Sequence, residues 1–195
     1  MKYISVMFIS FLLFACASPM STIQYYMLNT ADDDAPIANI NQQDAIVLAP
    51  VQLANYLNKI NLVMKIAKNQ LYYSEQDVWA ESLQTGIYNA LLKDLNSQTV
   101  QSHYIAMNSP NAKQSNKRLI VEFSHFMPTD QSQVIASGQY WLIDTSDLNN
   151  TAPIHNFSYA IPLHQDGYAH AVTQLNALLG ILSLDIIKQV ESEQG

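Results

Sequence analysis

The chain has 195 residues, 49% of them hydrophobic and only 13% charged, with a formal net charge of −7. That is one domain's worth of sequence with enough apolar content for a real core. Nine Lys and Arg against sixteen Asp and Glu argue against binding nucleic acid or gripping anionic phosphate broadly.

Lys2 supplies a short positive start, and Ile4 to Ala15 form an almost continuous apolar run. Such a run is too short to span a bilayer stably but right for the hydrophobic part of an export leader. It ends in Leu13-Phe14-Ala15-Cys16, which resembles the bacterial lipobox: the leader, residues 1–15, is cut off and Cys16 is acylated. An ordinary secretory leader cleaved near Ala15 or Ala17 is the alternative. Cys16 is the one cysteine of the chain, so lipidation leaves the mature domain without a thiol, in keeping with an oxidising compartment. Loss of the Lys2 charge takes the net charge from −7 to −8. Several acyl chains, each contributing about 0.8 kcal/mol per buried methylene, anchor essentially permanently. Ala17, where Asp acts as an inner-membrane retention signal in some bacteria, favours the periplasmic face of the outer membrane.

Residues 16–22 are then the lipidated cysteine and a tether, and 23–195 the domain. Ile23 to Leu28 read as an aromatic-rich strand. Ala31 to Pro36, with three consecutive Asp, read as a loop. Ala45 to Leu48 read as a buried strand that Pro50 turns aside. Asn61 to Ala67 and Gln70 to Tyr73 look like a hairpin around Lys68-Asn69. Ser74 with Asp77 three residues on has the pattern of a capping box. A helix is therefore expected from Ser74 to about Asn96, with Trp79, Leu83, Ile87, Ala90 and Leu91 on one face. Three strands follow, Lys117 to Phe126, Gln133 to Ile143 and Ile154 to Ile161. In the first, Leu119, Val121 and Phe123 alternate with Glu122 and Ser124, as in an antiparallel sheet with one face buried. Asp166-Gly167 introduces a last helix with the stripe Val172, Leu175, Leu179, Leu182 and Ile186. Its apolar part, Leu175 to Ile187, is too short and too polar for a second membrane span. Gly180 inside it costs roughly 1 kcal/mol, which suggests close packing at that point. The order predicts an α+β chain: a single two-layer domain with two main helices packed on a mixed, largely antiparallel sheet.

Chemistry is sparse. There is no Gly-x-Ser-x-Gly elbow, no phosphate-binding loop and no dinucleotide fingerprint. His103, His125, His155, His164 and His170 lack helical metal-ligand spacing, although His164 and His170 flank a helix start and are close enough in sequence to meet. Ser82 and Ser137 fall inside elements rather than at strained turns, so a catalytic triad has no obvious nucleophile. No catalytic residue, cofactor or metal is expected, and surface or satisfied histidines are the simplest reading. Trp79, with Tyr72 and Tyr73 before it, closes one end of a core or lines a partner surface.

In order, these pieces resemble the ABC-type transport auxiliary lipoprotein family, the PqiC-like proteins. The carrying residues are the lipobox at Cys16, then Tyr25-Tyr26-Met27-Leu28, Ile46-Val47-Leu48-Ala49-Pro50-Val51 and Tyr56-Leu57-Asn58-Lys59. Tyr73-Ser74-Glu75, Trp79-Ala80-Glu81-Ser82-Leu83, Tyr168-Ala169 and Leu182-Ser183-Leu184-Asp185-Ile186 complete the series. The chain departs from the family pattern at Asn58-Lys59, where Asp-Arg is common, and at Ala54 and Ser82, where Pro is common. The resemblance implies a non-catalytic docking or assembly subunit working beside a periplasmic MCE-domain protein in intermembrane lipid transport. It also implies a membrane attachment through the lipid and a possible homo-oligomer. The motif aromatics Tyr25, Tyr26, Tyr56 and Trp79 are the candidate interface. A periplasmic lipid-binding carrier is the alternative. It requires a large apolar cavity rather than a packed core. A tether of six residues reaches at most ~20 Å, so the domain works close to its membrane.

Overall fold

A computed structural model describes residues 22–28, 45–99, 101–146 and 152–194. The leader, Cys16, nearly all of the tether and the acidic loop at 31–36 lie outside the described residues. Among the described residues nine strands and two α-helices follow one another: β1 (Gln24–Tyr26), β2 (Ile46–Leu48), β3 (Gln52–Leu53), β4 (Asn61–Ala67), β5 (Gln70–Trp79), α1 (Leu83–Gln98), β6 (Tyr104–Ala106), β7 (Lys117–Thr129), β8 (Gln133–Asp144), β9 (His155–Pro162) and α2 (Tyr168–Gln194). The described part is α+β, with these two helices and one mixed sheet.

β7 is the spine of that sheet. Along one side it pairs antiparallel with β8 from Lys117 to Thr129, and β8 pairs antiparallel with β9. Its other side is shared out in sequence: β2 at Lys117–Leu119, β3 at Glu122–Phe123, and β4 at Thr129, all parallel. β6 extends the β2 end in parallel. The β4 end continues through the antiparallel hairpin to β5 and then, in parallel, to β1. Long regular pairing therefore occupies one half of the sheet, and short branches fill the other.

The alternation read in β7 is present: Leu119, Val121 and Phe123 are buried. It resets at a bulge, because Phe123 pairs with Gly138 while His125 pairs with Ser137. The reset turns Phe126 inward beside Phe123, with ring centroids 5.6 Å apart edge to face. A Cβ on Gly138 would sit 1.8 Å from the Glu122 carbonyl oxygen, so only glycine fits opposite this bulge.

The expected helix start at Ser74 is corrected. Ser74 lies in β5, and the helix begins at Leu83 with Ser82 as its cap, the Ser82 Oγ accepting from the Thr85 N–H at 3.1 Å. The short-range bonds of a capping pattern do form at Ser74. Its Oγ accepts from the N–H of Asp77 at 3.0 Å and donates to the Asp77 carboxylate at 2.6 Å. They close a wide bulge instead of a helix turn, since Val63 pairs with Tyr73 and Asn61 already with Val78. Neighbouring strands decide the outcome: Asn61 donates to the Ser74 carbonyl, and the Trp79 N–H donates to Ile60 O. A local Ser-x-x-Asp pattern serves either structure, and tertiary partners chose the strand.

Leu83, Ile87, Ala90, Leu91 and Leu95 form the buried face of α1, and Leu175, Leu178, Leu179, Leu182 and Ile186 that of α2. α2 packs on β7, β8 and β9 and against α1. At 27 residues it is longer than its apolar stretch, and by length and composition Tyr168–Ser192 passes for a membrane span, with half of that window buried inside the protein. Its packing on the sheet makes it a core helix. The close packing expected at Gly180 is also corrected. An added Cβ there would meet only the Gln98 Nε2, at 3.8 Å.

Candidate functional site

Among the described residues, His125 and Ser137 form a pair with the outline of catalytic chemistry. They face each other across β7 and β8, with Nδ1 2.9 Å from the serine Oγ. Burial and the nearby Lys65 ammonium both hold the imidazole below its usual value. An orienting carboxylate would act in the opposite sense and stabilise the imidazolium of a general base. The pair is thus a cross-strand contact beside the Tyr56 ring. Ser82 is occupied as the α1 cap. His164 and His170 do meet, the backbone N–H of His164 pointing at His170 Nε2 at 3.4 Å. Among the described residues no three His, Cys, Asp or Glu gather as a metal site.

The four candidate interface aromatics separate into different roles. Trp79 ends β5, in register with Tyr26 of β1, and is only 4% exposed. It belongs to the core rather than to the head of a helix, because the strand carries it inward where the helix was expected to begin. What it offers outward is one wall of a shallow hollow of about 350 Å³, shared with Asn58, Lys59, Ile60 and Glu81. Tyr26 also points inward, its hydroxyl donating to Asp77 Oδ1 at 3.0 Å. Burial first, then the bond to Asp77 and its charge, raise the Tyr26 phenol. Tyr168 at the start of α2 lies near the same carboxylate, and burial, Asp77, Tyr72 and Tyr26 together push it up to about 12.

Tyr56 sits apart from this group, in the 3-10 turn Asn55–Leu57. Its hydroxyl donates to the Ser124 carbonyl at the β7 bulge, and its own carbonyl accepts from the Tyr73 hydroxyl at 3.1 Å. Burial, then Tyr73, raise it to about 12. It staples the turn to β7 and β5. Of the four, Tyr25 alone stands free on the surface. Beside it in the chain are side chains that the sequence reading did not place at an interface: Ile23 and Met27, which flank β1 and are both exposed. The signal was present in the sequence. Ile23, Tyr25 and Met27 alternate with Tyr26 and Leu28, so both faces of one strand are apolar, while an edge strand covers only one.

Asp185 is a second feature that sequence reasoning missed. It lies within the apolar α2, where its Oδ2 accepts from the Tyr159 hydroxyl at 2.7 Å and the Tyr140 hydroxyl at 3.3 Å. Burial and this bond raise the Tyr159 phenol. A lone acid in an apolar helical run was the available signal, since a half-buried carboxylate needs donors. Here the donors come from β8 and β9, fixing α2 on the sheet.

Among solved structures, the chain is similar to an uncharacterized protein with a TM-score of 0.70 at 19% identity, covering 87% of this chain and 99% of that one. It is also similar to protein XCC0632 from Xanthomonas campestris, of the DUF330 family, with a TM-score of 0.65 at 12% identity over 87% and 99% of the two chains. These likenesses show a shared fold. A comparison with curated proteins finds no match. The family model for the ABC-type transport auxiliary lipoprotein component matches residues 26–187, nearly the whole described domain, and the chain belongs to that family.

Proposed function

We propose that this chain is an outer-membrane lipoprotein, anchored through acylated Cys16 on the periplasmic face. In this reading it acts as a non-catalytic docking subunit of an MCE-type intermembrane lipid transport system. The observation that carries the reading is the family match over residues 26–187 directly behind the lipobox-like Leu13-Phe14-Ala15-Cys16. The site geometry agrees with it. In the Ser137–His125 pair burial, and then the charge of Lys65, disfavour the imidazolium, and the aromatics around Asp77 serve the fold. What remains for function is a surface, as docking requires.

The carrier alternative needs a cavity for an acyl chain. The hollow between Met64, Pro128, Leu163 and Tyr168 measures about 220 Å³, and the one beside Trp79 about 350 Å³. The first is smaller than a typical ligand site of about 300–1,000 Å³ and the second lies at its lower end, with polar Asn58, Lys59 and Glu81 in its wall, while the core between helices and sheet is filled by side chains. Docking is therefore the better reading.

The test is a pull-down of tagged, lipidated protein from detergent-solubilised envelopes, with the co-purifying proteins and lipids identified. An MCE-domain protein should be recovered, and should still be recovered with Cys16→Ala, because the domain rather than the lipid makes the contact. Stoichiometric phospholipid without a protein partner would sink the docking reading and favour the carrier.

A further inference from the structure

We propose that the outward face of β1 and its flanking residues, formed by Ile23, Tyr25 and Met27, rests on the bilayer that holds the lipid anchor. In this role the face orients the domain against the phospholipid headgroup region. The inference rests on the reading of Cys16 as the lipidated residue.

The three side chains are 48%, 67% and 50% exposed. Tyr25 lies in β1 and Ile23 and Met27 flank it, so the three share one face by the period of a strand, while Tyr26 turns inward to Asp77. Scattered exposed apolar residues need no explanation, but here they are alternate positions of the segment that follows the tether.

Tether length selects the occupant. The six residues from Ala17 to Thr22 carry no charge and reach at most ~20 Å. A domain of this size is roughly 40 Å across, so the tether is too short for the domain to roll its far side onto the membrane. The side where β1 begins stays at the bilayer. An acidic domain gains nothing from anionic lipid, so the contact must be apolar and aromatic, and tyrosine at headgroup level suits it. Such a patch binds weakly on its own. Once the acyl chains hold the domain at the surface, contact becomes intramolecular, and a weak interaction suffices to set orientation.

The experiment uses the full lipidated chain with Tyr25→Cys, labelled with an environment-sensitive fluorophore. Acylation consumes Cys16, so the new thiol is the single free one. Met27→Cys repeats the measurement without loss of the phenol, and Leu184→Cys, exposed on α2, is the control. Each is reconstituted into phosphatidylethanolamine–phosphatidylglycerol vesicles containing lipid spin-labelled near the headgroup. Labels at 25 and 27 should blue-shift and be quenched by the spin-labelled lipid, while the label at 184 should stay as it is in water. Labels at 25 and 27 that remain aqueous on a vesicle-bound chain overturn the proposal. So does shielding without lipid quenching, which marks a partner strand or a second copy, and so does equal quenching at 184. If the chain does not float with vesicles and mass spectrometry finds Cys16 unacylated, the anchor reading itself fails, and this inference with it.

Discussion

The half of the sheet built on β7, β8, β9 and α2 contrasts with the half built on β1, β4 and β5. In the first, β7 and β8 stay paired over their whole lengths with one bulge. The stripe Leu175, Leu178, Leu179, Leu182 and Ile186 is essentially sealed, and the one acid in the middle of α2 is held by two tyrosines. In the second, β1 is only three residues long, β5 carries a wide bulge closed by Ser74 and Asp77, and Ile23, Tyr25 and Met27 remain outside. Long antiparallel pairing buries alternate residues of β7 and β8, and the exposed apolar side chains of that half, Ile154, Ile181 and Leu184, lie outside those two strands. In the other half Ile23, Tyr25 and Met27 stay exposed in and beside the edge strand β1.

Four measurements break or sharpen that contrast. The largest effect is expected from Trp79→Ala, which empties the corner where β1, β4 and β5 meet; a loss of about 3–5 kcal/mol should appear in denaturant unfolding of the mature chain. A loss below about 1 kcal/mol, within the range of ordinary substitutions, would mean the irregular half is only loosely coupled to the core. Gly138→Ala probes the regular half. Its methyl would overlap the Glu122 carbonyl, and forcing β7 and β8 apart should cost about 3 kcal/mol; a neutral result would show that the long pairing yields more easily than its regularity implies. Gly180→Ala should act in the opposite direction. With no atom outside its own helix nearer than 3.8 Å to the added Cβ, it should raise stability by about 0.5–1 kcal/mol, read as a higher denaturation midpoint.

The smallest effect is alkaline and comes from two tyrosines that border β5, Tyr56 and Tyr168. Tyr56 and Tyr168 are raised to about 12 when folded, against about 10 in an unfolded chain. Between those values the unfolded chain releases phenolic protons that the folded chain keeps. Their contribution is therefore complete below about pH 10 and is lost as pH rises toward 12. Unfolding midpoints followed across that window should fall, and should fall less steeply with Tyr56→Phe and Tyr168→Phe. An unchanged slope would place the alkaline sensitivity elsewhere, for example at Tyr159.

Sequence alone determined the strand alternation around Leu119, Val121 and Phe123, the stripes of both helices and the order of motifs that led to the family. These are properties of local spacing and need no distant partner to be read. It did not determine whether Ser74 starts a helix or bends a strand, because Ser-x-x-Asp makes the same short bonds in both, and the choice belonged to Asn61 and Ile60 on the neighbouring strand. Nor did it separate Tyr25 from Tyr26, Tyr56 and Trp79. All four are aromatic residues in recurring motifs, yet three are bonded or buried by residues far away in sequence and one faces solvent. Which strand lies at the sheet edge, and which of its faces the core has no room to cover, is decided only when β1 docks on β5, since burial is a property of the neighbours and not of the residue.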